Sequence, residues 1–173
     1  MKRRNMIWFL VMLLPVGLTA YYFYPEKKLP QGRVVDKVVV YKGKRQMEAY
    51  LGDELLKTYT ISLGKNPIGH KQYEGDNKTP EGTYDINDRN PNSGYHKNLG
   101  VSYPNDKDIA FAEKRRKSAG GAIKIHGLPN SKGYIGKFHR WKDWTAGCIA
   151  VTNEEVDELY KAVKQNAIIE IYP

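Results

Sequence analysis

Apolar and polar positions fall into three regimes along the 173-residue chain. Residues 6–24 are a run of 19 without a charge, preceded by Lys2, Arg3 and Arg4, close to the ~20 that a helix needs to cross a hydrocarbon core. After it the pattern turns strand-like. Segments 33–41, 45–51 and 55–63 are rich in apolar and β-favouring residues and are broken at Lys42-Gly43-Lys44 and Gly52-Asp53-Glu54, which predicts an antiparallel meander. A glycine-punctuated loop over 64–77, a short strand over 82–86 and a loop over 87–94 with its turn at Asn90-Pro91 follow. Near the end the period becomes helical: Val156, Leu159, Tyr160 and Val163 share one face behind a Thr152/Glu155 capping box, with Lys161 and Lys164 in the last turns. Residues 167–172 form a β-branched closing strand, so the fold reads as mainly β with one or two packed helices.

The charge-free run reads as an export signal or anchor. Leu18-Thr19-Ala20 places a bulky residue where a cleavage site wants a small one, and Tyr21, Tyr22, Phe23 and Tyr24 resemble an interfacial aromatic belt. An uncleaved, single-pass transmembrane anchor over 1–25 follows. The basic end stays inside, which puts a linker over 26–33 and a folded domain over 34–173 on the outer, periplasmic side of the cytoplasmic membrane.

Composition narrows the classes further. Apolar residues at 40% are enough for a buried core and exclude disorder as the main state. One cysteine and four scattered histidines exclude a disulfide scaffold and a cysteine-rich zinc module. Lys2, Arg3 and Arg4 carry three of the +9 charges, leaving +6 on the exported part. Such a surface suits anionic wall polymer or lipid headgroups; export argues against nucleic acid. The run Lys114-Arg115-Arg116-Lys117 needs only water and reads as a solvated helix end.

Chemistry concentrates in 123–151. Ile123-Lys124-Ile125 is a short strand that delivers His126 to its end, with Gly127 next. Twenty-two residues after His126 comes Cys148, inside Thr145-Ala146-Gly147-Cys148-Ile149-Ala150. Glycine beside cysteine allows close backbone approach and leaves amides for an oxyanion. A thiol, a base and amide donors suffice for acyl transfer, with Cys148 attacking as thiolate and His126 moving the proton. Alone, a cysteine is more often a small buried hydrophobe. A solitary thiol in an exported chain, however, is an oxidation liability without structural use.

Several ordered motifs carry a resemblance: Ser62-Leu63-Gly64, Pro67-Ile68-Gly69-His70-Lys71, Gly75-Asp76-Asn77-Lys78-Thr79-Pro80-Glu81-Gly82-Thr83-Tyr84, Ser102-Tyr103-Pro104-Asn105, Ile125-His126-Gly127-Leu128-Pro129, and Asp143 to Val151. From Asp36 to Pro173 the chain resembles the L,D-transpeptidase catalytic domain (the YkuD-like fold), in the branch with alanine after Gly-Cys-Ile. The resemblance implies a β-sandwich or barrel whose cysteine attacks the bond between meso-diaminopimelate and D-alanine in a peptidoglycan tetrapeptide stem. It implies a thioester on Cys148, His126 as base, Gly147 and Cys148 as oxyanion-hole amides, the Gly127 carbonyl as orienter of the imidazole, and Thr145 as the hydroxyl of the Ser/Thr-x-Gly-Cys motif. Tyr103 and Trp144 are further candidates for the substrate site.

The chain also departs from that pattern. Many members place His before Gly-Cys and Arg two residues after the cysteine; here those positions hold Ala146 and Ala150, so a guanidinium fork for a carboxylate is missing there. Arg140, Lys137 and Lys142, in the loop before the cysteine, either supply the positive charge instead or simply belong to a solvated loop, and His139 there is a second-ranked base. The resemblance implies no metal or organic cofactor. Trp141 and Trp144 either wall the cleft or pack the loop down. The acceptor stays open: an amine gives a cross-link, whereas water makes the protein an L,D-carboxypeptidase or an amidase that frees a wall-attached protein. Sortases need an Arg after the cysteine and papain-like peptidases a His after it, and neither residue occurs beyond Cys148. A non-catalytic wall-binding module is the remaining alternative.

Overall fold

The computed structural model describes the backbone from residue 3 and the side chains from residue 13 onward. Its eight strands form one sheet in the order β3-β2-β1-β8-β4-β5-β6-β7. They are β1 (Val35–Tyr41), β2 (Gln46–Leu51), β3 (Glu54–Thr60), β4 (Gly82–Ser93), β5 (His96–Val101), β6 (Lys124–His126), β7 (Ile149–Ala150) and β8 (Val163–Tyr172).

The meander β1-β2-β3 is antiparallel as the pattern predicts. The closing strand takes the middle of the sheet, parallel to β1 and antiparallel to β4. It begins at Val163, directly off the helix before it, and buries Ala167, Ile169 and Ile171 on its core face while Ile168 and Tyr172 stay exposed.

The expected loop over 87–94 is instead strand: β4 runs to Ser93 and pairs Asn90 with Asn98 and Ser93 with His96. Pro91 falls at the register shift between Asn90 and Ser93, where the ladder requires no N–H. Two stacked sheets do not form. The single sheet curls until the chain beyond β3 meets β7 and its flank at two bridges, Ser62 to Ala150 and Gly64 to Thr145.

Helix α2 (Asp106–Glu113) is capped by Asn105, and the basic run after it is exposed. A kinked 3-10 segment, Asn130–Trp141, precedes the cysteine loop. Helix α3 (Asn153–Ala162) has both halves of its capping box in place and buries Val156 and Leu159; its side chains pack into the same core as Val38, Ile61 and Ile149.

The first helix, α1, is Arg3–Phe23. Half of the expected anchor, residues 1–12, lies outside the described side chains, and among the described residues no helix is long and apolar enough to cross a membrane. The end of α1 packs on the 3-10 segment, Tyr21 lying 5.8 Å from Phe138 and 6.1 Å from Trp141. The segment 26–33 is fastened to the domain: Leu29 is buried, its N–H donates to Glu158, and Glu26 pairs with Arg140.

Candidate active site

The cysteine loop is hung from the seam that closes the sheet. Thr145 N–H donates to Leu63 O at 3.1 Å and Lys65 N–H to Thr145 O at 3.0 Å; two residues past the cysteine, Ala150 N–H donates to Ser62 O at 2.8 Å. Within the loop the Thr145 hydroxyl donates to Cys148 O at 2.7 Å and accepts the Gly147 N–H at 3.1 Å. Gly147 has φ +136°, and a Cβ on it would sit 2.6 Å from Lys78 O, so no other residue fits there without displacing backbone. The opposing turn is rigid because the buried Lys71–Asp76 pair (2.8 Å) holds it, with Asp76 also accepting N–H groups from Gln72, Tyr73 and Lys78.

Parallel pairing of β6 with β7 sets Ile125 opposite Ile149 and His126 opposite Ala150. It brings His126 and Cys148 onto one cleft of about 350 Å³, lined also by Lys65, Ser93, Tyr95, Asn98, Lys124 and Trp144. His126 Nδ1 lies 2.7 Å from Gly127 O. A carbonyl only accepts, so Nδ1 carries the proton and Nε2 keeps a lone pair for base chemistry. The ring is buried and flanked by Tyr95 at 4.7 Å and Trp144 at 5.6 Å between ring centroids. Burial pushes its pKa below the usual imidazole range, the Gly127 contact opposing this.

The Cys148 thiol donates to Ala122 O at 3.5 Å. Burial pushes its pKa up, against the Lys124 backbone N–H and the charges of Lys124 and Lys71. With one pKa raised and the other lowered, the resting pair is a neutral thiol and a neutral imidazole. The arrangement therefore supports nucleophilic attack with proton removal by a base, without a preformed ion pair.

A sequence model of the L,D-transpeptidase catalytic domain (YkuD) matches residues 36–171, which spans β1 to β8. The chain belongs to the L,D-transpeptidase catalytic domain family. It is 30% identical over 132 residues to YafK of Escherichia coli (strain K12), whose name provisionally assigns it to the L,D-transpeptidases; the match covers 73% of this chain and 46% of YafK. Among solved structures, the helical cell shape determining protein Pgp2 of Campylobacter jejuni (K307A mutant) is similar at TM-score 0.60 and 26% identity, over 81% of this chain and 47% of Pgp2. Bd1075 of Bdellovibrio bacteriovorus is similar at TM-score 0.54 and 25% identity, over 84% of this chain and 50% of that one. The chain thus spans about half the length of these relatives.

In this L,D-transpeptidase domain the structure brings Cys148, His126, Gly127, Thr145, Gly147 and Trp144 into one region, and three expected residues are placed otherwise than the sequence suggests. The Gly147 amide is not open to an oxyanion, because the Thr145 hydroxyl already accepts it; among the described residues the Cys148 N–H has no partner and is the remaining donor of that pair. Arg140 does not face the cleft. Its guanidinium is 6% exposed and bonds Glu26 and Glu155, each at 2.8 Å, since a buried cation is stable only when paired. Tyr103 is core: its ring meets Tyr84 edge-on at 5.8 Å and its hydroxyl donates to Ala119 O.

The other loop candidates also lie apart from the cleft lining, Lys142 being exposed on the loop. Lys137 donates to the Tyr21 and Tyr24 carbonyl oxygens at the end of α1. His139 lies outside the cleft, its Nδ1 facing the Ser62 hydroxyl and the Trp144 indole, and burial pushes its pKa down to about 3. Trp141 is exposed and packs on Phe138. The cations that do line the cleft are Lys65 and Lys124. Lys124 is two residues before His126 on one strand and so shares its face, a signal the sequence contained. Tyr95 and Asn98 became visible only through the pairing of β5 with β6.

Proposed function

We propose that the chain is a peptidoglycan-acting cysteine acyltransferase of L,D-transpeptidase type. The observation that carries this reading is the shared cleft, in which the single cysteine of the chain lies with a histidine whose proton is fixed on Nδ1. His126 Nε2 takes the thiol proton as Cys148 Sγ attacks the carbonyl of meso-diaminopimelate in a tetrapeptide stem. The Cys148 N–H supports the oxyanion. The carbon–nitrogen bond to D-alanine then breaks, the departing amine takes the proton from His126, and a thioester stays on Cys148. An amine or water, deprotonated by His126, resolves it. Lys65 and Lys124 meet substrate carboxylate in place of the arginine that many members carry where this chain has Ala150. Residues 1–25 anchor the chain as a single pass in the cytoplasmic membrane, with the domain on the periplasmic side.

Incubation of the purified full chain with disaccharide tetrapeptide should release D-alanine, and Cys148→Ala and His126→Ala should each stop this. Normal turnover by Cys148→Ala would remove the nucleophile assignment. Mass spectrometry of the products names the acceptor, a cross-linked dimer for an amine and a tripeptide for water, and a parallel incubation with a protein-linked muropeptide reads an amidase as freed protein.

A further inference from the structure

The antiparallel pairing of β5 with β6 sets Asn98 directly opposite His126, so the two side chains leave the same face of the sheet as close neighbours. Asn98 lines the cleft and is 91% buried, its relative exposure being 9%. Its carboxamide nevertheless makes no hydrogen bond among the described residues, and Oδ1 is fully buried without a partner. The bonds that nearby groups make do not run to Asn98: Ser93 Oγ accepts the Tyr95 N–H, Ser93 O accepts from Asn130, and the Lys124 ammonium, with two further donors, binds Asp88 at 2.8 Å.

Buried polar groups in folded proteins are almost always paired, and an orphan at a functional cleft points to a ligand. A carboxamide offers an acceptor and a donor side by side and no charge. That matches the C=O and N–H of a peptide group, whereas a carboxylate would be served by the lysines. With neither end engaged, the amide can turn to present whichever atom is needed.

We propose that Asn98 is a substrate-binding residue that pairs with the main-chain peptide group flanking the scissile bond of a stem peptide, holding that bond beside His126. This rests on the acyltransfer reading above and adds a determinant of substrate position to it. Asn98→Leu, a near-isostere, tests the role because an apolar side chain replaces an unpaired amide and leaves no broken protein contact.

The full chain carrying Cys148→Ala, with and without Asn98→Leu, is titrated calorimetrically with the disaccharide tetrapeptide and with a depsipeptide analogue in which an ester replaces the flanking peptide N–H. Asn98→Leu should weaken tetrapeptide binding about tenfold or more and analogue binding by a clearly smaller factor, because the ester has lost the N–H half of the pairing and keeps only its carbonyl. Its unfolding temperature should stay the same or rise. Equal loss on both ligands, no loss on the tetrapeptide, no tetrapeptide binding by the Cys148→Ala chain, or a marked fall in unfolding temperature would each overturn the assignment. Binding that depends on Asn98 together with no D-alanine release by the unsubstituted chain would instead overturn the acyltransfer reading and leave the Asn98 assignment standing.

Discussion

Thr145 grips Cys148 from the side: its hydroxyl sits 2.7 Å from the Cys148 carbonyl oxygen while accepting the amide of Gly147, the residue between them that touches the opposing turn. Cys148 is thereby oriented by a side chain three residues upstream, itself held to the seam through Leu63 and Lys65. Thr145→Val keeps the shape and removes both bonds, leaving the Gly147 N–H buried and unpaired at a cost of about 1–3 kcal/mol. Turnover should fall roughly tenfold or more and Thr145→Ser should restore most of it, as read from D-alanine release and thermal unfolding of the two variants.

The pH dependence has two parts. In the proposed mechanism neutral His126 is the base, and burial lowers its pKa, so the acid limb of kcat/KM should lie below the 6.5 of a free imidazole, while the raised thiol pKa puts any alkaline limb above 9.0. His139, held neutral in the core down to about pH 3, binds a proton in the unfolded state below about 6.5. The unfolded chain then carries more protons than the folded one, so stability should decline as pH falls from 6.5 toward 3. A kcat/KM profile in mixed buffers and melting curves across the same range check these separately. An acid limb at or above 6.5 would contradict the buried-base reading.

Arg140 is predicted to matter for stability and for the seating of the segment before β1, with no direct part in substrate binding. Arg140→Ala leaves Glu155, whose side chain is 5% exposed, as an unpaired buried carboxylate, and removing one partner of such a pair costs about 3–5 kcal/mol. Denaturant titration should show this loss, and KM measured where the variant is folded should be unchanged. A raised KM at full stability would return Arg140 to the substrate site.

Lys124 lines the cleft and its charge acts on Cys148. Lys124→Met keeps the stem and removes the ammonium; KM for a substrate ending in free D-alanine carboxylate should rise several-fold, and a substrate amidated at that carboxylate should be bound equally by both forms. A parallel rise for the amidated substrate would assign Lys124 to packing.

Much of the fold is legible in the sequence because it is local. The capping box at Thr152 and Glu155, the apolar period of α3 and the meander breaks are short-range patterns, and they reappear in the structure within a few residues. Residue type and the motifs around them single out Cys148 and His126, and the structure sets both on one cleft. At 87–94 local chemistry misleads: Pro91 suggests a turn, and tertiary pairing with β5 makes a bulged strand instead. Arg140 and Tyr103 depart from expectation for the same kind of reason. Charge and aromaticity do not say whether a side chain turns toward a cleft or toward a carboxylate and a core far away in sequence.

The sequence by itself determined the inventory: a basic chain with one thiol, a histidine at a strand end, a Thr-x-Gly-Cys step and a charge-free first segment. Only the tertiary structure decided which groups share the cleft. The insertion of β8 between β1 and β4 and the seam from Ser62 to Lys65 fix where β6 and β7 lie, and long-range pairing of this kind has no signature in local periodicity. That register placed Asn98 opposite His126; it also gave the Gly147 amide to Thr145 and drew Arg140 onto Glu26 and Glu155, because a buried amide or cation is stable only with a partner from whatever the fold brings near it.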